Sequence, residues 1–99
     1  MQDKQGHVYI MTNTHRTTFY IGVTSDLRMR IWQHINGEGS VFVKKYKLHD
    51  LVYYEHFHRI TDAIDREKQL KNWHKDWKVN LIKSINPEIK DLKDVLELE

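Results

Sequence analysis

The chain has 99 residues and no cysteine, so its length predicts one domain with a two-layer core and its composition excludes disulfides, thiolate zinc sites and cysteine nucleophiles. No apolar run approaches the roughly 20 residues needed to cross a bilayer, and the polar N-terminus lacks a signal-peptide core, so we expect a cytoplasmic protein with no membrane partner. Residues 1–87 carry 14 Lys and Arg against 9 Asp and Glu, a mild basic bias that suits a polyanion or an ordinary solvated surface.

Two alternating segments at the start of the chain predict a β-hairpin. They are "HVYIMT" (7–12) and "TTFYIGV" (17–23), and they flank the short polar loop "NTHR" (13–16). With that loop, Tyr9 falls directly opposite Tyr20, so both hydroxyls should leave the same face of the sheet. Cross-strand aromatic pairs stabilise hairpins by roughly 0.2–1 kcal/mol, so the pair also has a purely structural explanation.

The rest of the chain predicts one more strand and several helices. Thr24 or Ser25 should cap a helix that ends near Ile35, where "NGEGS" supplies two glycines. "DLVYYEHF" (50–57) has the composition of a third strand. Later helices are expected at 61–73 with Thr61 as the cap, at 75–85 before Pro87, and at 89–98. The order β-β-α-β-α-α predicts an α+β domain with a small antiparallel sheet.

The first helix carries two polar residues beside its apolar stripe. Leu27 and Ile31 lie four residues apart and should face the core. Arg30 and His34 are also four residues apart, and they lie one residue round the helix from the stripe of Leu27 and Ile31. They should therefore sit together at the edge of the buried face. An exposed pair whose stems cover the sheet would explain them as well.

Glu67 lies on the apolar stripe of a later helix, three residues after Ile64 and three before Leu70. A carboxylate there needs a cation, a donor or a metal to offset its lost hydration. A salt bridge to Lys71, four residues on, would suffice if Glu67 lies at the edge of the stripe.

Two phenols, a guanidinium, an imidazole and a carboxylate could thus surround one cleft. This set suits attack of water on a phosphodiester without any nucleophilic side chain. A hard divalent ion on the carboxylate would polarise the phosphate, and arginine would neutralise charge that develops on the phosphoryl oxygens. A phenol can move a proton when neighbouring cations lower its pKa from about 10.

The sequence here resembles the GIY-YIG nuclease family. "VYIM" (8–11) followed by "YIGVTSDLRMRIWQH" (20–34) is similar to its two-part motif, with Arg30 ten residues after Tyr20 and then His34. The "YIG" tripeptide alone would be weak evidence, but the whole set in order is specific.

Two further segments extend the resemblance. "AIDRE" (63–67) resembles the segment that brings the family's metal-binding glutamate, and "INPEIKDL" (85–92) resembles the closing segment of the small stand-alone bacterial members. The chain is also similar to the N-terminal nuclease domain of the bacterial excision-repair incision subunit. The expected organisation is one domain, 1–99, with its motifs in about 7–92 and an acidic tail at 93–99.

The resemblance implies a three-stranded antiparallel sheet flanked by helices, and a metal-dependent endonuclease that hydrolyses phosphodiester bonds in DNA. It leaves open whether cleavage depends on DNA structure. The implied roles are Glu67 as ligand of one Mg²⁺ or Mn²⁺ ion, Tyr9 as general base or its relay, Tyr20 in placing water and phosphate, Arg30 on the scissile phosphate, and His34 in proton transfer or phosphate contact. Gly22 of the tripeptide and Asn86 near the C-terminus have supporting roles.

The chain departs from the family pattern in two ways. His7 replaces the glycine of the first motif, and Gly6 lies one place early. The 99 residues leave no room for the separate DNA-binding domain of larger members, so we expect binding to rest on lysines of the nuclease face itself, namely Lys44, Lys45, Lys47 and Lys71, with Lys68, Lys75 and Lys78 beyond them. Such phosphate contacts are sequence-tolerant and salt-sensitive. We expect DNA rather than RNA as the partner, a monomer or weak homodimer, and room for a partner protein that supplies specificity.

Other functions are also compatible with the sequence. A nucleic-acid-binding module of the same shape, with little or no catalysis, is the main alternative. The intact tyrosine, arginine and glutamate set favours the enzyme, and the missing DNA-binding extension favours the module. His56 and His58 could hold zinc, but no further ligand lies at useful spacing, so an exposed strand is favoured. Trp73 and Trp77 could stack bases, but packing is favoured.

Overall fold

A three-stranded antiparallel sheet forms the centre of the molecule in the computed structural model, which describes residues 4–96. Its strands are β1 (Gly6–Thr12), β2 (Phe19–Thr24) and β3 (Asp50–Phe57), in the order β2-β1-β3. The central strand β1 buries every residue except His7, because it is paired on both sides and covered on both faces.

Helices cover the two faces of the sheet. They are α1 (Leu27–Ile35), α2 (Val41–Lys45), α3 (Ile60–Lys71) and α4 (Lys75–Ile85), and a 3₁₀ turn follows at Lys93–Leu96. The predicted α+β class and the order β-β-α-β-α-α are confirmed, with the short helix α2 as an addition. No helix among residues 4–96 is long and apolar enough to span a bilayer.

Each face of the sheet carries its own apolar core. Side chains alternate along a strand, so Val8 and Ile10 of β1 point to one face, where Ala63, Leu70 and Ile82 of α3 and α4 join them. The other face packs against α1, α2 and the turn after α2 through Tyr9, Met11, Leu27, Ile31, Val43, Leu48 and Leu51. The predicted core positions Leu27 and Ile31 are therefore confirmed.

The register of the hairpin differs from the predicted one. Tyr9 lies opposite Gly22, and the partner of Tyr20 is Met11. The expectation that the two tyrosines face each other directly is wrong, because the loop covers residues 13–18 rather than four residues. A shift of two positions keeps every side chain on its face, so both tyrosines still point toward the α1 layer.

The side chain of Asn13 accounts for the longer loop. Its Oδ1 accepts hydrogen bonds from the backbone N–H groups of Thr17 and Thr18, at 2.8 and 3.2 Å. The hydroxyl of Thr12 donates across the loop to the carbonyl of Thr18 at 2.8 Å. These hydrogen bonds stabilise a six-residue loop, whose length the alternation of apolar residues alone does not indicate.

Two predicted helix caps are wrong. Asp26 caps α1, since its Oδ1 accepts the N–H of Met29 at 3.1 Å, whereas the hydroxyl of Thr24 is engaged with the N–H of Asp26. Residue 25 lies between them and caps nothing. The cap position of α3 is Arg59, without a side-chain cap bond, so Thr61 lies in the first turn. At the start of α1, Asp is as good a cap residue as Ser or Thr, so the sequence alone does not show which of residues 24–26 is the cap.

The segment after α4 closes against β3. Asn86 is buried, and its Nδ2 donates to the carbonyls of Val52 and Lys90 at 3.0 and 2.8 Å. Its Oδ1 accepts the N–H of Lys90 at 3.0 Å. The helix predicted at 89–98 is reduced to the 3₁₀ turn, and the end of the predicted acidic tail lies outside the described residues.

Candidate active site

A buried hydrogen bond joins the central strand to α1. The hydroxyl of Tyr9 and Nε2 of His34 lie 2.8 Å apart, and the two side chains are 1% and 2% exposed. An exposed Arg30 and His34 pair is therefore the wrong explanation for His34. Arg30, one position away on the helix, is only half-buried.

Gly22 makes room for the ring of Tyr9. A Cβ atom at Gly22 would lie 2.3 Å from Cζ and 2.4 Å from the hydroxyl oxygen of Tyr9. The ring cannot move aside without losing its bond to His34. The glycine that follows the second tyrosine of the motif thus fixes the position of the first tyrosine across the strand pair.

Tyr20 completes a cluster of three rings. Its ring centroid lies 6.2 Å from that of Tyr9 and 5.7 Å from that of His34, and the Tyr9 and His34 centroids are 5.6 Å apart. Tyr20 is half-buried, so the cluster has one buried phenol and one that reaches the surface. The structure therefore brings together three of the five predicted catalytic side chains in direct ring contact.

Arg30 and Glu67 lie close enough to this cluster to act on its protonation. Burial raises the pKa of Tyr9 well above its ordinary value, and the neighbouring Tyr20 adds to that rise. The positive charge of Arg30 lowers the pKa of Tyr9, and the negative charge of Glu67 raises it. All five predicted residues thus share one electrostatic environment, although they come from β1, β2, α1 and α3.

His34 is held neutral. Burial, reinforced by the charge of Arg30, lowers its pKa from 6.5 to about 4. Its Nδ1 is buried and has no hydrogen-bond partner within residues 4–96. Gly39 lies beside that atom, where a Cβ would approach Nδ1 to 3.2 Å. The imidazole therefore has one ring nitrogen bonded to a phenol and the other enclosed against backbone.

Glu67 lies at the edge of the α3 stripe and has a cationic neighbour. Its side chain is 16% exposed, and its Oε1 lies 3.4 Å from Nζ of Lys71. The salt bridge considered from the sequence is therefore present. An ion pair between partly exposed groups contributes about 0–1 kcal/mol, so a stronger cation can displace the lysine.

Among the five predicted catalytic residues, Glu67 supplies the carboxylate that could bind a divalent ion. In the part of the chain that the structure describes, no group of three or more His, Asp or Glu side chains is placed to hold a metal. A lone carboxylate suits Mg²⁺ or Mn²⁺ because such an ion keeps several waters and completes its shell with phosphate oxygens. The donor set fits a loosely held ion and does not fit a preformed metal cage.

The predicted lysines are all exposed. Lys44 and Lys45 lie on α2, and Lys47 follows that helix. The Nζ of Lys45 lies 5.4 Å from the ring centroid of Tyr46. Lys71, on α3, is 54% exposed. Asn86, by contrast, lies at the end of α4, where its bonds hold the closing segment, so its support is structural.

The alternative metal and stacking sites find little support. His56 and His58 are exposed on β3 and just after it, with ring centroids 5.4 Å apart, and no third ligand among residues 4–96 is placed to bind a metal with them. Trp73 packs against the core, as favoured from the sequence. Its neighbour Trp77 is 54% exposed.

Sequence reasoning missed the aromatic contribution of α2. Phe42 lies 6.1 Å from Tyr20 and 4.7 Å from Tyr46, measured between ring centroids. The residue that could have indicated this helix is Ser40, a favoured N-cap residue directly before "VFVKK". Its hydroxyl accepts the N–H of Val43 at 3.4 Å and so caps α2. Helix α2 thus brings the ring of Phe42 into contact with Tyr20 and carries two exposed lysines, Lys44 and Lys45.

The three-stranded sheet thus carries a buried central tyrosine that meets a histidine on α1, and an arginine and a glutamate act on the same tyrosine. Residues 5–80 match the family described as the GIY-YIG catalytic domain, and the chain belongs to this family. The resemblance seen in the sequence is thereby confirmed.

Curated bacterial relatives carry no stated activity in their names. The chain is 34% identical over 65 residues to the UPF0213 protein of Staphylococcus saprophyticus, covering 66% of this chain and 79% of that one. It is 27% identical over 71 residues to the UPF0213 protein of Bacillus pumilus, covering 72% of each chain. For the UPF0213 protein of Staphylococcus aureus strain Mu50 the identity is 30% over 66 residues, covering 67% and 80%. No solved structure matches at a significant level.

Proposed function

We propose that this protein is a metal-dependent endonuclease that hydrolyses phosphodiester bonds in DNA. The observation that carries the proposal is the buried bond between Tyr9 and His34, with Arg30 and Glu67 acting on the same phenol. The family is described as a catalytic domain, and packing alone would not require two titratable groups to be buried against each other.

Arg30 is proposed to hold the scissile phosphate. It is half-buried beside the ring cluster, and no acidic partner within 4 Å is found for it among the described residues. A guanidinium can bind two phosphoryl oxygens at once and neutralise the charge that develops on them. A bound phosphodiester would also offset the positive charge that, in addition to burial, lowers the pKa of His34.

Tyr9 and His34 are proposed to move the proton of the attacking water. The phenol alone is a poor base in the free protein, since burial raises its pKa. If the hydroxyl donates to Nε2 of His34, the phenolic oxygen can accept a proton from water while its own proton passes to the imidazole. Tyr20, half-buried in the same cluster, reaches the surface where water and phosphate would enter.

Glu67 is proposed as the protein ligand of one Mg²⁺ or Mn²⁺ ion. When bound, such an ion supplies Lewis-acid polarisation of the phosphoryl oxygen and stabilises the leaving oxygen. Displacing Lys71 from Glu67 would free that lysine to contact a neighbouring phosphate. Lys44, Lys45 and Lys47 extend the positive surface on the α2 side, so DNA binding should be sequence-tolerant and salt-sensitive.

A binding module with little catalysis is the second candidate, favoured by the raised pKa of Tyr9 in the free protein. A cleavage assay separates the two. Purified protein is incubated with labelled single-stranded, duplex, nicked and branched DNA, in Mg²⁺, in Mn²⁺ and in EDTA. Cleavage that needs metal and is absent in Glu67→Gln supports the endonuclease. DNA binding with no cleavage of any substrate in either metal supports the module.

A further inference from the structure

An exposed aromatic side chain stands next to the proposed active site. Phe42 of α2 is 42% exposed, although its ring lies between those of Tyr20 and Tyr46, at 6.1 and 4.7 Å. Tyr46 is also 44% exposed. Part of each ring therefore faces solvent, and the three rings lead outward from the buried Tyr9 cluster to the surface.

A groove of about 300 Å³ opens beside Phe42. Its walls come from β2, α2, α3 and α4, and its lining consists of Phe19, Tyr20, Ile21, Phe42, Lys71 and Lys78. One wall is aromatic and the other carries two ammonium groups. Lys71 is also the partner of Glu67, so the groove adjoins the proposed metal ligand.

The chemistry of the two walls points to one kind of occupant. An aromatic face stacks on the face of a nucleobase, and a lysine contacts the phosphate attached to it. Inside a continuous duplex both faces of every base are covered by neighbouring pairs, so a base can reach Phe42 only when it is unpaired or unstacked. A continuous duplex could offer the groove its phosphates alone.

We propose that this groove is a subsite for an unpaired nucleotide next to the scissile phosphate, with Phe42 stacking on the base and Lys71 and Lys78 holding the backbone. The proposal rests on the proposed nuclease function and adds a substrate class to it, namely DNA with a single-stranded segment at the cleavage site. Phe42 is then a specificity-determining residue and takes no part in the bond-breaking step.

A purely structural role for Phe42 is the competing explanation, because its ring also packs against that of Tyr20 on the sheet. Leucine keeps most of the apolar contact and removes the aromatic face, so Phe42→Leu separates the two roles. Trp32 on α1 is a matched control. It is 46% exposed and lies in a different surface hollow, with Arg28 and Met29.

The test is equilibrium binding in EDTA, which excludes cleavage and so does not depend on catalytic competence. Fluorescence anisotropy is measured with a labelled 12-nucleotide single strand and with the 12-base-pair duplex of the same sequence, at one salt concentration. The proteins are wild type, Phe42→Leu, Phe42→Trp and Trp32→Leu. Thermal melting of each variant shows whether its fold is intact.

The expected result is tighter binding of the single strand by wild type, and a loss of about 5- to 100-fold in single-strand affinity in Phe42→Leu. Its duplex affinity should change less than twofold, and Phe42→Trp and Trp32→Leu should bind like wild type. Equal loss for both DNAs, no loss for either, or loss of the preference in Phe42→Trp would overturn the subsite. If wild type prefers the duplex, the subsite fails while metal-dependent cleavage of duplex would still uphold the nuclease.

Discussion

The hydroxyl of Tyr9 lies 2.8 Å from Nε2 of His34, inside a protein in which both side chains are almost fully buried. Burial pushes the two pKa values apart, with that of the phenol raised and that of the imidazole lowered. In the free protein both groups are therefore neutral, so we expect a proton to cross the pair only when a nearby charge changes. On the proposed function, a phosphodiester bound by Arg30 would be such a change.

Removing the phenolic oxygen should harm cleavage more than stability. Tyr9→Phe keeps the ring against Gly22 but leaves Nε2 of His34 unpaired, which should cost about 1–3 kcal/mol of unfolding free energy. Turnover should fall by about 10²-fold or more, because the proton path is lost. The matched control is Tyr54→Phe, which removes a phenol from the strand residue paired with Tyr9. Normal cleavage by Tyr9→Phe would make the phenol purely structural.

His34 should make the fold sensitive to mild acid. Because its pKa falls from 6.5 in the unfolded chain to about 4 in the folded protein, the unfolded chain binds the proton more tightly. Its contribution to stability is present in full above pH 6.5 and is lost as the pH falls toward 4, by about 3 kcal/mol in total.

Urea unfolding between pH 8 and pH 5 checks this sign. The free energy of unfolding of the wild type should decrease as the pH is lowered from 8 to 5. The change in this free energy per pH unit should be smaller in His34→Gln. The variant His15→Gln, which changes an exposed histidine in the hairpin loop, should keep the wild-type slope. A His34→Gln protein with an undiminished slope would show that the imidazole is not held neutral by burial.

Gly22 and Tyr9 should be energetically coupled. An added Cβ at Gly22 would meet the tyrosine ring at 2.3 Å, so Gly22→Ala should cost about 1–3 kcal/mol and displace the phenol from His34. In a Tyr9→Ala background the three nearest atoms that the added Cβ would meet are gone. Urea unfolding of the four proteins should give an interaction energy of about 0.5–3 kcal/mol, and simple additivity would contradict the packing described.

Glu67 should respond to metal rather than support the fold. Its ion pair with Lys71 is partly exposed, so Glu67→Gln should change stability in EDTA by less than about 1 kcal/mol. An ion bound only by the folded state would raise wild-type stability by about 1.4 kcal/mol at ten times Kd, and Glu67→Gln should lose that response. Melting curves in EDTA, Mg²⁺ and Mn²⁺ measure both quantities, with Asp65→Asn as the exposed control on the same helix. A metal response unchanged in Glu67→Gln would place the ion elsewhere.

The fold class, the order of strands and helices along the chain, and the placement of Tyr9 and Tyr20 on one face of the sheet were predicted from the sequence. These depend on hydrophobic alternation and helical spacing, which local residues determine. The register of the hairpin could not be predicted, because it depends on how the Asn13 side chain bonds a six-residue loop. The face was still right because an error of two residues preserves the alternation.

Other features of the site needed three-dimensional information. Helical spacing placed His34 at the edge of the core, but its burial follows from the chain after α1, where Gly39 encloses the imidazole. Gly22 makes room for Tyr9 because the two residues lie opposite each other, and the predicted register did not pair them. Helix α2 is five residues long, too short for a periodic pattern, so the position of Phe42 next to Tyr20 could not be seen from the sequence.

The most direct test of the account compares two arginines on one helix. Arg30 adjoins the buried Tyr9 and His34 pair, whereas Arg28 is exposed and lies with Met29 and Trp32 in another hollow. Single-turnover cleavage of a labelled DNA with an unpaired segment is measured in Mn²⁺ for wild type, Arg30→Ala and Arg28→Ala. We expect a rate lower by about 10²- to 10³-fold in Arg30→Ala with its melting temperature nearly unchanged, and a normal rate in Arg28→Ala. Equal rates for wild type and Arg30→Ala, at matched protein and salt concentration, would contradict it.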